Sequence, residues 1–527
     1  MDVEKSRAGI EVELKLQVRS EDLSRLRDSP LLSPPAAGSG VTRTLESVYF
    51  DTADLRLRRK NMTLRVRKQG RHYVQTVKSS GHSLGGALHR GEWEAPLASA
   101  VPDVAAMSAE MNGHLGRLRA SELRPVFASH IKRTIRRLGD PADNSGPAIE
   151  VAFDEGEIRT PDGAAMPVSE VELELKRGDP SALYDLALAL SEIAPLRIES
   201  RSKSERGYAL LDGAARMPVH AAPIELSPEM TVEEALATIV RHCLDHLAHN
   251  DALVLHEHDA VALHQMRVAL RRMRSALSVF RSLLPPVQYG LFVGEIKWLA
   301  GVLGAAREWD VFVAELVGPV RGYFANDVSL AALERAARER RGLAYAAASE
   351  AIASARYTSL LLKIGGWLDG KGWRQQPVSE RSAMLLSPVV TLADRMHAQR
   401  RKRALKRGAH FARQTAAHRH ELRVALKKLR YATEFFRSLY DRKSVQRYLR
   451  RLTELQSALG HLNDVASATD LVTRLKGDGA AELSTEWGDA AGKVIGWHAR
   501  DLCEFEPRLR KDWKAFARMP EFWSPPA

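Results

Sequence analysis

Apolar and polar positions follow two different periods along the chain. Between residues 10 and 93, and again over 148–154 and 170–176, they alternate every second residue, in short runs broken by Gly, Pro and Ser clusters. Such alternation sends successive side chains to opposite faces of a strand. One break, Ser33-Pro-Pro-Ala-Ala-Gly-Ser-Gly40, reads as a loop. From about Asp212 to Met230 the composition turns to Ala, Pro and short polar residues, and Pro218, Pro223 and Pro228 oppose regular structure there. Thr231-Val-Glu-Glu234 is then a capping box, beyond which apolar residues recur at helical spacing. The pattern predicts an α+β multidomain chain, with a strand-rich domain over 1–213, a linker over 214–229 and an all-α domain over 230–520.

The polar faces of the strands are charged. In Glu11-Val-Glu-Leu-Lys15 the residues Glu11, Glu13 and Lys15 share one face, with Val12 and Leu14 on the other. Arg65 and Arg67 share a face in Leu64-Arg-Val-Arg67, and Lys78 closes Gln75-Thr-Val-Lys78. Glu150 and Asp154 share a face in one later strand, and Glu170, Glu172, Glu174 and Lys176 share one in the next. A single strand of this kind is an ordinary solvated face. Acidic strands set among arginine-bearing strands are accommodated most economically by a closed sheet with a charged interior. Carboxylates so placed suit Mg²⁺ or Mn²⁺, and converging cations call for an anion such as a phosphate.

Composition narrows the partners. The chain has 527 residues and a formal charge of +13, which points to a polyanionic partner. Cys243 and Cys503 are its two cysteines, so neither a disulfide framework nor a zinc cluster is expected. The start, Met1-Asp-Val-Glu-Lys-Ser-Arg7, lacks the apolar core of a signal peptide, and no apolar run reaches the ~18 residues of a membrane span. The expectation is a cytoplasmic protein, with polyphosphate granules as a place of association.

Residues 10–213 resemble the CYTH, or triphosphate tunnel metalloenzyme, family. The resemblance is carried by Glu11-x-Glu13-x-Lys15, Tyr49-Phe-Asp-Thr52, Leu64-Arg-Val-Arg67, Lys78, Arg90-x-Glu92, Arg133, Asp154, the Glu170–Lys176 strand and Ser202-Lys203-x3-Gly207-Tyr208. It implies an eight-stranded antiparallel tunnel with flanking helices, in which acidic residues bind divalent metal and basic residues bind a linear triphosphate. Metal then falls to Glu11, Glu13, Asp154, Glu170 and Glu172, with Glu150 and Glu174 as alternates, and phosphate to Lys15, Arg65, Arg67, Lys78, Arg133, Lys176 and Lys203. Arg90 and Arg133 are open between substrate contact and ion pairing at the rim. Glu11, Glu13, Lys15, Arg65, Arg67 and Lys78 are the candidate catalytic residues. No side chain stands out as a dedicated general base, and water activated at the metal with help from one glutamate would suffice.

The helical half contains a repeat. His264-Gln-Met-Arg-Val-Ala-Leu-Arg-Arg-Met-Arg274 matches His420-Glu-Leu-Arg-Val-Ala-Leu-Lys-Lys-Leu-Arg430, and a glycine follows each histidine by 40 residues, at Gly304 and Gly460. The halves are expected at about 230–390 and 391–520. His264, Arg267, Arg271 and Arg274 fall on one helical arc beside an apolar stripe, and His420, Arg423, Lys427 and Arg430 repeat it. From Arg395 to Arg451 there are 19 Lys and Arg against three acids, a local charge of +16. Self-repulsion of that size calls for a polyanion. These residues resemble the CHAD family over roughly 228–520, which implies two helical bundles related by a pseudo-two-fold and a polyphosphate-binding face that adds Arg272 and Lys428. Glu308 departs from the family's Asp after what reads as a glycine turn at Gly304. The stretch from Val320 to Pro377 reads as Ala-rich helix broken at Gly365-Gly366.

The first reading is therefore metal-dependent hydrolysis of inorganic triphosphate in the tunnel, with polyphosphate binding by the helical half. The alternatives are a polyphosphate-binding or targeting protein with a weakly active or inert tunnel, and a tunnel acting on thiamine triphosphate or ATP. Nucleic acid is disfavoured, because no reader motif occurs and no aromatics interleave with the basic stripes.

Overall fold

A computed structural model describes residues 9–32, 40–70, 72–79, 82–84, 87–105, 118–140, 146–213, 216–475 and 484–523, with backbone alone at 9–11, 82–84, 87–90, 416, 461–469, 484–487 and 501–506. The expected loop at 33–40 lies almost wholly outside the described residues. The chain divides into two compact units, Met1–Met217 with Ala353–Gly372, and Pro218–Ile352 with Trp373–Ala527.

The first unit is built on one antiparallel sheet. Its strands are β1 (Gly9–Gln17), β2 (Val41–Thr52), β3 (Met62–Gln69), β4 (His72–Ser79), β5 (His82–Leu84), β6 (Ala87–Leu97), β7 (Leu123–Leu138), β8 (Ala148–Arg159), β9 (Ala165–Arg177) and β10 (Arg197–Ile198). They run in the order β10-β1-β9-β8-β7-β2-β3-β4-β6-β5, and a further pairing of β1 with β6 closes eight of them into a barrel. The period of two then does its sorting. Leu14, Leu16, Val151, Phe153, Val171 and Leu173 point outward and are buried under helices Ser20–Arg27 and Ser181–Ser191, while the charged residues between them face the lumen.

Helix Lys203–Asp212 packs on another side of the barrel, where Tyr208 joins Tyr49, Phe127, Ile131 and Ile158. A side chain at Gly207 would collide with the Phe127 ring, which accounts for the glycine before Tyr208. The Tyr208 hydroxyl donates to Asp51 at 2.9 Å, and Asp51 also accepts from the backbone N–H groups of Leu57 and Arg58. The Tyr-Phe-Asp-Thr motif thus anchors this helix as well as the turn after β2.

Helix Ala355–Asp369 belongs to the first unit although it lies far along the chain. Leu362 enters the core beneath helix Ser181–Ser191, the Thr358 hydroxyl donates to the Leu196 carbonyl at 2.7 Å, and the Tyr184 hydroxyl donates to Asp369 at 3.0 Å. The break expected at Gly365-Gly366 is absent. Helix runs through both residues, because a missing Cβ at Gly366, which would stand 3.1 Å from Tyr184 Cβ, is what lets the two helices approach.

In the second unit Thr231 accepts from the Glu234 N–H at 3.3 Å and Glu234 accepts from the Thr231 N–H at 2.7 Å, so the predicted capping box opens helix Val232–Glu257. The repeat is a repeat of structure. Helices Ala260–Phe280 and Ala416–Phe436 each have 21 residues, each ends in a 3₁₀ turn, and each leads into a long helix, Pro286–Val311 or Arg442–Leu475. Their apolar stripes, Met266, Leu270 and Met273 in one and Leu422, Leu426 and Leu429 in the other, are buried. No glycine turn exists at Gly304 or Gly460: both lie inside the long helices.

Candidate active site in the barrel

The barrel lumen is lined by Lys15, Arg43, Arg65, Arg67, Lys78, Arg133, Lys176 and Lys203 among cations, and by Glu13, Glu92, Glu94, Glu150, Glu172 and Glu174 among carboxylates. Strand register sets how these charges meet. Strands β8 and β9 pair Asp154 with Glu170 and Ala152 with Glu172, while β7 sets Arg133 beside Asp154. Asp154, Glu170 and Glu172 are all buried and each offers an oxygen within 4.8 Å of the others'.

Three cations hold this acidic cluster. Lys203 Nζ donates to Asp154 at 2.6 Å, to Glu172 at 2.9 Å and to Glu170. Arg133 grips Asp154 with two hydrogen bonds of 2.7 and 2.6 Å and also reaches Glu172, and Arg206 donates to Glu170. Lys203 is placed by its helix, since Ser202 and Glu205 form a capping box that fixes the first turn. Burial pushes the Asp154 carboxyl up, but Lys203 and then Arg133 pull it further down, so it ends below its ordinary range. Glu172 is held well below its ordinary range by the same contest, with burial opposed by Lys203, Arg133 and Lys15. Burial pushes the Lys203 ammonium down, and the three carboxylates more than reverse it.

Arg65, Arg67 and Lys78 line the lumen from β3 and β4. Lys78 lies 3.0 Å and Arg65 3.7 Å from Glu92, and Arg67 Nε donates to the Ser47 hydroxyl at 3.1 Å. Among the described residues Arg67 forms no ion pair, and burial followed by repulsion from Arg65 and Arg133 pushes its guanidinium down to about 9. A half-buried cation in that state is stabilised by any anion entering the lumen. The Tyr49 hydroxyl is raised by burial, then lowered on balance by Arg65, Arg67 and Lys203. Its ring is stacked on Phe127 with centroids 4.5 Å apart.

Of the residues expected from sequence, Glu13, Lys15, Arg65, Arg67, Lys78, Arg133, Glu150, Glu172, Glu174, Lys176 and Lys203 line the lumen, and Asp154 and Glu170 sit wholly buried behind Lys203. Glu11 and Arg90 face each other in register between β1 and β6, but their side chains lie outside the described residues. Sequence reasoning missed Arg206 and Arg43. Arg206 is one turn beyond Lys203 on the same helix, and Arg43 is in register with lumen-facing Leu45 and Tyr49, so both had a periodic signal. The all-oxygen donor set of Asp154, Glu170 and Glu172 fits a hard divalent ion such as Mg²⁺ or Mn²⁺, provided Lys203 yields its contacts.

In the second unit His264, Arg267, Arg271, Arg423, Lys427 and Arg430 are partly exposed, and Arg274, His420 and Lys428 are exposed. Burial, then Arg307, Arg271 and Arg267, push His264 down to about 4. Arg272 is buried instead, 5.8 Å above the Phe435 ring and apart from the stripe. Arg430 pairs with Glu434 at 3.1 Å. Lys428 is pushed down by burial and by Arg400, Arg403 and Arg274. Like charges therefore meet where the two repeats pack together.

Residues 9–208 match the CYTH domain, and residues 238–473 match the CHAD domain. The chain is 31% identical over 168 residues to the inorganic triphosphatase of Haemophilus influenzae, a match covering 32% of this chain and 46% of that protein. It thus spans about half the length of that curated relative. The crystal structure of the CHAD domain from the plant Ricinus communis is similar at a TM-score of 0.50 and 29% identity, over 58% of this chain and 98% of that one.

Proposed function

Because this chain is a CYTH domain followed by a CHAD domain, we propose that its barrel hydrolyses inorganic triphosphate with a divalent metal and that its helical unit binds polyphosphate. The observation that carries the first part is the barrel's charged interior, an acidic cluster within 4.8 Å together with Arg65, Arg67 and Lys78. A linear triphosphate carries several negative charges that oppose attack on its terminal phosphorus. Arg65, Arg67, Lys78 and Lys15 bind and orient those oxygens in a lumen walled by protein, where each charge counts for more than in open solvent. Asp154, Glu170 and Glu172 would hold the metal. A bound Mg²⁺ or Mn²⁺ would supply neutralisation of phosphate charge and activation of the attacking water.

Inorganic triphosphate is favoured over an organic one by the lining. Tyr49 is the one aromatic residue among the described residues lining the lumen, and its ring face is taken by Phe127. Among the described residues a base or thiazolium ring has no platform on which to stack. In the second unit the duplicated stripes of Arg267, Arg271 and Arg274 and of Arg423, Lys427 and Arg430 would follow a flexible polyanion, and so bring the protein to cytoplasmic polyphosphate granules. No helix among the described residues is long and apolar enough to cross a membrane.

Purified protein assayed with tripolyphosphate, ATP and thiamine triphosphate, with and without Mg²⁺ or Mn²⁺, tests the reading. Tripolyphosphate should be turned over fastest and only with metal. Metal-independent turnover, or preference for ATP, would reassign the barrel. No turnover of any of the three, alongside polyphosphate binding, would leave a binding protein with an inert tunnel.

A further inference from the structure

We propose that Lys203 is the resident cation of the acidic cluster, and that a divalent metal enters only as the Lys203 ammonium leaves for the phosphates of the substrate. The proposal rests on the metal-dependent reading above and adds an obligatory exchange to it. Charge is the first argument. Asp154, Glu170 and Glu172 carry three negative charges, and Lys203, Arg133 and Arg206 carry three positive ones at hydrogen-bonding distance, while Lys15, 3.6 Å from Glu172, is itself balanced by Glu13. A divalent ion added to that balanced set would leave two positive charges uncompensated in a buried wall, which the low-dielectric surroundings strongly disfavour.

Geometry says which cation yields. Arg133 is held by a two-pronged grip on Asp154, and a planar guanidinium so engaged does not move without breaking both bonds. Arg206 is buried against Glu170 and does not line the lumen. Lys203 is a point charge on a flexible stem, it does line the lumen, and it contacts one oxygen from each of the three carboxylates that can hold an ion. Metal and ammonium therefore compete for the same donors. Lys203 lines the same lumen as Arg65 and Arg67, so a triphosphate held by those arginines would offer its ammonium other oxygens.

It follows that metal and triphosphate assist each other's binding. By linkage, each raises the other's affinity by the same factor, because the substrate draws off the cation that excludes the metal. Glu170 keeps Arg206 on one oxygen throughout, and its other oxygen is the one that Lys203 gives up to the metal.

The test is Mn²⁺ binding to the full-length protein, read from the electron paramagnetic resonance signal of free Mn²⁺, with and without the non-hydrolysable imidotriphosphate. Asp154→Asn serves to subtract ions bound elsewhere on the chain. Without the analogue, Lys203→Met should bind Mn²⁺ roughly tenfold or more tightly than the wild type, since one competing unit charge has gone. Lys203→Arg should not. Adding imidotriphosphate should tighten Mn²⁺ binding to the wild type more than to Lys203→Met. Equal or weaker affinity in Lys203→Met overturns the exchange alone, as does equal tightening by Lys203→Met and Lys203→Arg. Failure of the wild type to bind Mn²⁺ even with the analogue overturns the metal-dependent reading itself.

Discussion

Arg267 lies so close over Gly304 that a Cβ on the glycine would stand 2.7 Å from its Nη1, and the same nitrogen donates to the Ala300 carbonyl at 3.1 Å. In the second repeat Arg423 approaches Gly460, with Nη2 at 3.7 Å from the corresponding point. The equal spacing of histidine and glycine in the two halves thus has a steric content. Gly304 opens a place on its helix for an arginine from the preceding one, while at Gly460 the equivalent arginine stands far enough off to leave room for a Cβ.

The two glycines should answer differently to substitution. Gly304→Ala requires the Arg267 guanidinium to move, so affinity for long-chain polyphosphate should drop several-fold. Gly460→Ala meets only ordinary contact, and alanine in a helix interior gains about 0.5–1 kcal/mol over glycine. Its polyphosphate affinity should be unchanged and its thermal midpoint slightly higher. Equal effects of the two on polyphosphate titrations would mean that Arg267 does not contribute to the binding face.

Arg67 is a site where function and stability oppose each other. Burial and two neighbouring cations already push its guanidinium down to about 9, so the folded protein carries an electrostatic cost there. Arg67→Met, of similar length and without charge, should raise the melting temperature by a few degrees. It should also lower kcat/KM for tripolyphosphate by about a hundredfold, the scale of losing one preorganised charge-stabilising donor. A variant that is both less stable and fully active would contradict both halves of this account.

Much of this site was legible in the sequence because strand period fixes which residues share the lumen. Glu13, Lys15, Arg65, Arg67 and Lys78 needed no tertiary information beyond alternation. What alternation cannot give is partner choice across the barrel. That Lys203 is spent on Asp154, Glu170 and Glu172 depends on where helix Lys203–Asp212 docks, and docking is set by Tyr208, Phe127 and Asp51 from other elements. Arg272 illustrates the same limit: its place in the repeat resembles that of exposed Lys428, yet it is turned into the core beside Phe435. The helix at 355–369 was legible as helix, but nothing local marks it as part of the barrel unit.

That helix gives a prediction about minimal fragments. Residues 1–217 alone would leave the faces of Tyr184 and Leu190 without Leu362, Gly366 and Thr358 to cover them. Exposed apolar faces of that kind favour association. The fragment should aggregate or melt well below the corresponding transition of the full chain, and a synthetic peptide spanning 353–372 should partly restore it. A monomeric 1–217 fragment as stable as the full chain would show the helix to be dispensable.

His397 gives the helical unit a defined acid sensitivity. The ring is wholly buried, stacked on Trp523 with centroids 5.1 Å apart and edged by Phe436, Tyr440 and Phe522. Burial pushes it down to about 3, and Arg400 adds to the shift. In the unfolded chain the same imidazole titrates near its ordinary ~6.5. Between those values the unfolded state holds a proton that the folded state does not, so this contribution to stability is whole above about pH 6.5 and is lost as the pH falls towards 3. The loss amounts to at most about 1.4 kcal/mol per pH unit. His246 and His264, each pushed down to about 4, act in the same direction, chiefly through burial. A difference measurement therefore isolates His397. Hydrogen exchange in helix Val389–Arg407 should accelerate on acidification from pH 7 to pH 4, after correction for intrinsic rates, and His397→Phe should reduce the pH slope by close to one proton. Identical slopes in the two proteins would show that His397 is protonated within the fold.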